Sequence, residues 1–156
     1  MDLELTRRRA LVTGSSRGIG RAVARQLAAE GADVVVTGRH EAPLRATAEE
    51  LAAESGRRIV PVVADTGDDE AVRRLVVAAE EALGGVDILV NNAARPGGQG
   101  PAPTLAQFTA EALWEEVNVK VAGYLRCAQA VAPLMVREGW GRIVNISGLA
   151  ARQTGS

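Results

Sequence analysis

Thr13-Gly14-Ser15-Ser16-Arg17-Gly18-Ile19-Gly20 places three glycines where a short apolar run gives way to an amphipathic stretch. Chemistry that holds a phosphate on backbone N–H groups needs glycines in such places. Gly14 admits a tight turn, Gly18 lets the backbone approach a pyrophosphate, and Gly20 lets a helix lie close against a strand. Ser16 and Ile19 complete the loop, and the N–H groups left free where the helix starts face the anion. A glycine-rich string is also compatible with an ordinary turn, so its position directly after the first apolar run is what gives it weight. Thr37-Gly38-Arg39 follows the second apolar run. Sites for NAD place an acid there to accept from the ribose 2′-OH. This chain has no acid in that stretch, and Arg39 offers a planar fork of donors suited to a 2′-phosphate. Glu41 is near enough in sequence to pair with Arg39 and oppose that reading. His40, the only histidine, has no second ligand for a metal site and reads as a loop residue.

These residues need elements to hold them. Ala10–Thr13 reads as a buried strand and Ile19–Glu30 as a helix closed by Gly31. Asp33–Thr37 is a second strand, and Ala42–Glu54 a second helix ending near Gly56. Arg58–Val63 is a third strand. Asp68 or Asp69 caps a helix running to Leu83 and closed by Gly84-Gly85. Val86–Val90 is a fourth strand, and Arg95–Pro103 a loop rich in Pro and Gly. Thr104 to about Glu138 reads as helix in one or two pieces, and Arg142–Ile146 as a fifth strand. The strands are continuous apolar runs, the pattern of a parallel sheet covered on both faces. Strand–helix alternation with crossovers of this length gives right-handed βαβ units and a doubly wound α/β (Rossmann) sheet, with expected order 3-2-1-4-5. The chain shows no internal repeat or linker and reads as one dinucleotide-binding domain over residues 1–156.

Thr-Gly-x-x-x-Gly-x-Gly at 13–20 resembles the glycine spacing of the short-chain dehydrogenase/reductase family. Three further stretches resemble motifs of that family: Asp65 after the third strand, Asp87-Ile88-Leu89-Val90-Asn91-Asn92-Ala93-Ala94, and Gly141-Arg142-Ile143-Val144-Asn145-Ile146-Ser147. The resemblance covers nearly the whole chain in the correct order. It implies that Asp65 hydrogen-bonds the adenine amino group, with Thr66 offering backbone beside it. Asn92, Ala93 and Ala94 would line the ribose side, with Ala94 standing where the family has glycine. On the residues alone, Asp65 also suits a turn cap, and the Asn pair a strand-end clamp. Arg17 resembles a second arginine used by members that prefer NADP. Arg17 and Arg39 together favour NADP(H) over NAD(H), which remains open.

The family's reaction uses a tyrosine as acid/base, its pKa lowered by a lysine. A serine holds the substrate carbonyl, and an asparagine in the long helix maintains a proton path. The tyrosine and lysine follow the fifth strand in the family, and no counterpart is expected before Ser156. Tyr124, the only tyrosine, falls inside the preceding helix and reads as a packing residue. Aligning Gly123–Ala130 with the family's long helix puts Lys120 at the asparagine position, with Asn118 two residues away. The strand-five motif puts Ser147 one residue before the usual serine and Gly148 in its place. The candidate catalytic residues are therefore Ser147 and Lys120. Lys120 is either a proton relay or carbonyl ligand, or the partner of Glu116 in an exposed i, i+4 pair contributing about 0.3–0.5 kcal/mol.

Composition narrows the remainder. The chain has 156 residues, 47% of them apolar, which suits one domain with its own core. A net charge of −1 gives no broad attraction to nucleic acid or anionic membrane. Lys120 is the sole lysine among 18 basic residues, a bias that points to scattered solvated arginines rather than a basic function. The single cysteine, Cys127, excludes an internal disulfide, and no apolar run suits a signal peptide or membrane span. The expected setting is cytoplasmic. Three readings follow: a carbonyl/alcohol oxidoreductase domain incomplete at its C-terminus, without the later strands and inactive as it stands; a non-catalytic dinucleotide-binding or sensor protein; and a subunit completed by a partner chain. A homo-oligomer is expected, because the family's long helix forms part of a subunit interface.

Overall fold

The computed structural model of the chain describes residues 3–95 and 104–148. Of the loop expected over 95–103, only Arg95 lies among the described residues. Five strands and their connecting helices follow in order: β1 (Arg9–Val12), α1 (Gly18–Ala29), β2 (Asp33–Gly38), α2 (Glu41–Ser55), β3 (Ile59–Val63), α3 (Asp69–Leu83), β4 (Ile88–Asn91), α4 (Ala110–Val117), α5 (Gly123–Glu138) and β5 (Arg142–Asn145). A π-helical turn, Asn118–Ala122, joins α4 to α5 without a break. The sheet is parallel throughout, in the order β3-β2-β1-β4-β5. Leu11 pairs in register with Val35 on one side and Leu89 on the other.

The continuous apolar strands are explained by two cores, one on each face. Ala10, Val12, Val34, Val36, Ile88 and Val90 face α1 and α2, meeting Ala24, Ala28, Leu44 and Leu51. Leu11, Val35 and Leu89 face the other way, meeting Val72 and Leu75 of α3 and Cys127 and Val131 of α5. Alternate residues of one strand thus enter opposite cores, so no position in the centre of the sheet is free to be polar. The buried residues of α1, Gly20, Ala24 and Ala28, recur every fourth position and are all small, which brings that helix close to the sheet.

Helix ends follow their local chemistry. Asp68, of the two candidate caps, starts α3 by accepting from the Ala71 N–H at 2.6 Å. Gly56 and Gly84 close α2 and α3 in the left-handed conformation at φ +66° and +82°. The helix expected from Thr104 begins only at Ala110. The Thr104 carbonyl accepts from Gln107 and Phe108 in a separate turn, and the Thr109 hydroxyl caps α4 by accepting from the Ala112 N–H at 3.2 Å. The fourth strand starts at Ile88 rather than Val86, although the Asp87 backbone already donates to the Arg9 carbonyl at 2.8 Å and accepts from the Arg142 N–H at 2.9 Å, and its side chain forms an ion pair with Arg9.

That pair binds the opening of β4 to that of β1. Asp87 is 3% exposed and accepts from Arg9 Nε at 2.8 Å, Nη2 at 2.7 Å and backbone N–H at 2.9 Å. Burial pushes its carboxyl up, but the hydrogen bonds and charge of Arg9 outweigh this and hold it below its ordinary value. A carboxyl depressed on folding adds stability above its unfolded pKa, and that stability is lost as pH falls through the folded value. Asp87→Asn is expected to destabilise the chain by about 2 kcal/mol at pH 7. It should also flatten the acid limb of stability below about pH 4. Urea melts from pH 2 to 7 check both, and parallel pH profiles for variant and wild type would refute the assignment.

Candidate functional site

A cleft of about 540 Å³ opens at the C-terminal ends of β1 to β4, where the strand order reverses between β1 and β4. Its wall includes Gly14, Ser16, Arg17, Gly18 and Ile19 from the loop after β1 and the start of α1, Gly38 at the end of β2 and Arg39 after it. Asp65 and Thr66 after β3, and Asn92, Ala93 and Ala94 after β4, complete it. Every residue singled out for a dinucleotide lines this one cleft except Gly20, which lies beneath it.

The three loop glycines have different physical reasons. Gly14 stands at φ +63°, and a β-carbon there would approach the Ala93 Cα to 2.8 Å. Gly18 stands at φ +59° with nothing within 4 Å of a β-carbon, so its backbone is bare toward the cleft. Gly20 is buried; a β-carbon there would stand 2.4 Å from the Gly14 carbonyl oxygen and 2.5 Å from Asn92 Nδ2. Helix α1 starts at Gly18 with no side-chain cap from Arg17, so its first N–H groups are open to a ligand.

A hydrogen-bonded frame holds the loop. The Thr13 hydroxyl accepts from the backbone N–H groups of Asn92 at 2.9 Å and Ala93 at 3.0 Å. Asn92 Nδ2 donates to the carbonyls of Thr13 at 3.1 Å and Gly14 at 3.0 Å. Ser15, fully buried, donates to the Val12 carbonyl at 2.7 Å and accepts from the Thr37 N–H at 2.9 Å. Thr47 of α2 donates to the Ser16 carbonyl at 3.0 Å. Asn91 is also buried, and donates to the Tyr124 carbonyl at 3.2 Å and to Asn145 Oδ1 at 2.9 Å. Both asparagines therefore clamp strand ends. The framing roles of Thr13, Ser15 and Thr47 were missed from the sequence; each shows only as a small hydroxyl residue at the edge of an apolar run.

Arg17 and Arg39 are exposed at the cleft, and neither has an ion-pair partner among the described residues. Glu41, the carboxylate near enough in sequence to oppose Arg39, pairs with Arg45 at 2.7 Å instead. His40 precedes α2 and borders the cleft as a loop residue. Asp65 is exposed, with its Oδ1 accepting from the Gly67 N–H at 2.8 Å.

The catalytic candidates are placed differently. Lys120 sits half-buried in the π-helical turn, and Ser147 is exposed just past β5; neither is among the residues lining the cleft. The Glu116–Lys120 pair does not form: the Glu116 carboxylate lies 4.0 Å from Arg95 Nε instead. The π turn shifts the phase on which an i, i+4 pair depends. Tyr124 donates its hydroxyl to the Ile146 carbonyl at 3.0 Å, and burial pushes its phenol pKa up. That direction is opposite to a tyrosine tuned for proton transfer, so it serves to pack α5 against β5.

Residues 8–156 match the family described as short chain dehydrogenase. The chain belongs to the short-chain dehydrogenase/reductase family. It is 41% identical over 142 residues to the (2S)-[(R)-hydroxy(phenyl)methyl]succinyl-CoA dehydrogenase subunit BbsD of Thauera aromatica, covering 90% of this chain and 55% of that protein. The crystal structure of L-sorbose reductase from Gluconobacter frateurii, complexed with NADPH and L-sorbose, superposes with a TM-score of 0.88 at 34% identity. That match covers 98% of this chain and 57% of that one. NAD+-bound xylitol dehydrogenase superposes with a TM-score of 0.88 at 27% identity, covering 97% and 57%. This dehydrogenase/reductase chain matches the N-terminal part of the family and spans about half the length of the curated relatives it matches.

The glycine geometry sets unequal costs within the family's loop. Gly18→Ala adds only the strain of a left-handed backbone, about 1 kcal/mol. Gly20→Ala forces a β-carbon against backbone and is expected to cost about 3 kcal/mol and to close the cleft to nucleotides. Denaturation curves of both variants check this, and equal losses would refute it.

Proposed function

We propose that this chain forms the nucleotide-binding part of an NADP(H)-dependent oxidoreductase acting on a carbonyl or alcohol substrate. The observation that carries the cofactor reading is the pair Arg17 and Arg39, both at the cleft, neither engaged by a carboxylate among the described residues, with no acid in the stretch Thr37-Gly38-Arg39. Guanidinium forks suit a 2′-phosphate and offer nothing specific to a ribose 2′-OH. The uncapped start of α1 and the bare backbone of Gly18 suit the pyrophosphate. Asp65 would accept from the adenine amino group, with the Thr66 backbone beside it. Asn92, Ala93 and Ala94 would border the ribose, where Ala94 adds one methyl to the family's glycine. When bound, the nicotinamide would supply or take a hydride at its C4. The chain's own residues would bind, orient and exclude water; Ser147 would offer a hydroxyl to the substrate oxygen, and Lys120 a proton-bearing group in the long helix.

Gly148 and Lys120, where the family has serine and asparagine, favour a second reading, a dinucleotide-binding protein without turnover. A β-carbon at Gly148 meets nothing within 4 Å, so Gly148→Ser is expected to leave the melting temperature unchanged. Carbonyl reduction that appears only in that variant would support the second reading, since the wild-type residue then does not sustain turnover.

A second copy of the chain is the proposed partner. Leu113, Trp114, Val121 and Leu125 are exposed along α4, the π turn and α5. In a cytoplasmic setting such apolar surface favours association.

A thermal melt with each cofactor, alongside a size measurement, tests the proposal. Ligand at a hundred times its Kd adds about 2.7 kcal/mol of stability. NADPH is expected to raise the melting temperature more than NADH does. Arg39→Asp is expected to weaken NADPH by about tenfold or more while leaving NADH unharmed. Absence of any shift with either cofactor overturns the reading.

A further inference from the structure

The loop that carries Asp65 is held from behind by the long helix. The Gly67 N–H donates to Asp65 Oδ1 at 2.8 Å, and the Gly67 carbonyl accepts from Asn118 Nδ2 at 3.0 Å. One residue thus connects the amide of Asn118 to the orientation of the Asp65 carboxylate. Arg126 grips the same loop from about two turns of helix further along. Its Nη1 donates to the Asn118 carbonyl at 3.0 Å and to the Thr66 carbonyl at 3.4 Å, and its Nε pairs with Asp69. Between these two contacts the helix backbone abuts the loop directly: a β-carbon at Gly123 would stand 2.9 Å from the Thr66 carbonyl oxygen.

The π-helical turn makes this three-point contact possible. In an α-helix residues five apart lie about 140° apart around the axis, so Asn118 and Gly123 could not both face the loop. The i, i+5 bond from the Gly123 N–H to the Asn118 carbonyl brings them to one side. A π turn is a costly local geometry that persists where a site uses it. Here it puts Asn118, Gly123 and Arg126 against residues 65–69, and Val119 of the same turn lines the cleft.

We infer that Asn118 and Arg126 are positioning residues for the base-reading end of the nucleotide cleft, acting on Asp65 through Gly67 and on the Thr66 backbone. The inference rests on the reading of Asp65 as acceptor of the adenine amino group. It assigns these residues a part in holding the loop rather than in proton transfer: the amide of Asn118 donates to the Gly67 carbonyl, and Arg126 reaches the loop through the Thr66 carbonyl and Asp69.

The choice of base supplies the test. Adenine presents an amino group at C6 and hypoxanthine a carbonyl oxygen, which a carboxylate acceptor repels. The 156-residue chain and its Asn118→Ala and Arg126→Met variants are titrated with NADPH and with the hypoxanthine analogue of NADPH. The wild type is expected to prefer NADPH. Each variant is expected to lose about tenfold in NADPH affinity, the scale of one hydrogen bond to a charged group, with little change for the analogue, so the preference between bases collapses. A merely structural role would weaken both nucleotides equally, and that result overturns the inference, as does a preference left intact in both variants. A wild type that binds both nucleotides alike removes the Asp65 reading and the inference with it. A wild type that binds neither removes the proposed function as well.

Discussion

A β-carbon at Gly20 would lie 2.4 Å from the Gly14 carbonyl oxygen, so helix α1 can reach its position only with hydrogen there. That contact sets the distance between the first helix and the sheet. With Gly20, Ala24 and Ala28 all buried and small, α1 settles directly over β1 and β2. Its first N–H groups then emerge at the point where the strand order reverses, which is where a parallel sheet leaves a crevice. The Thr13 hydroxyl and the Asn92 amide complete the arrangement by joining the end of β1 to the end of β4. Without the close approach, the crevice would have no wall of open N–H groups.

The electrostatics of the chain turn on which arginines are occupied. Arg9, Arg25, Arg45, Arg57, Arg126 and Arg137 all face carboxylates, and Arg8 and Arg142 lie over the Trp140 ring at 3.8 and 4.7 Å. Most exposed pairs of this kind add little stability, but they do consume charge. Among the described residues, Arg17 and Arg39 at the mouth of the cleft have no carboxylate partner. Glu41 is the decisive neighbour: one turn of α2 delivers it to Arg45 and away from Arg39. The cleft thereby keeps a local positive field in a chain of nearly balanced charge.

The long helix shows where sequence pattern and structure part. Its buried stripe, Cys127, Val131, Leu134 and Met135, follows helical spacing and is readable directly. Burial pushes the Cys127 thiol up to about 11, which fits a packing residue and not a nucleophile. The stretch before it is not readable in the same way. A π turn has no signature that separates it from an ordinary helix, and the phase it shifts decides whether Glu116 meets Lys120 and which residue faces the β3–α3 loop. The early helix boundary failed for a related reason: Thr104 and Thr109 are both plausible caps, and only the observed turn at Thr104 chooses between them.

The sequence by itself determined the order of elements, the parallel sheet and the identity of the cleft's wall. The elements, the sheet and the glycine loop follow from local causes: apolar runs, cap residues, and glycines that only a tight turn or a close approach requires; Asp65, Thr66, Asn92, Ala93 and Ala94 in the wall were implied by the resemblance to the family's motifs. The sequence left the asparagines at 91 and 92 open between lining the ribose and clamping strand ends, and the observed bonds of both amides supply the clamp. Tertiary structure alone decided which charges are paired, that Asn118 and Arg126 back the Asp65 loop, and that Lys120 and Ser147 stand apart from the cleft lining. These depend on contacts between residues far apart in the chain, Arg126 with Thr66 and Asn118 with Gly67, whose geometry no local pattern encodes.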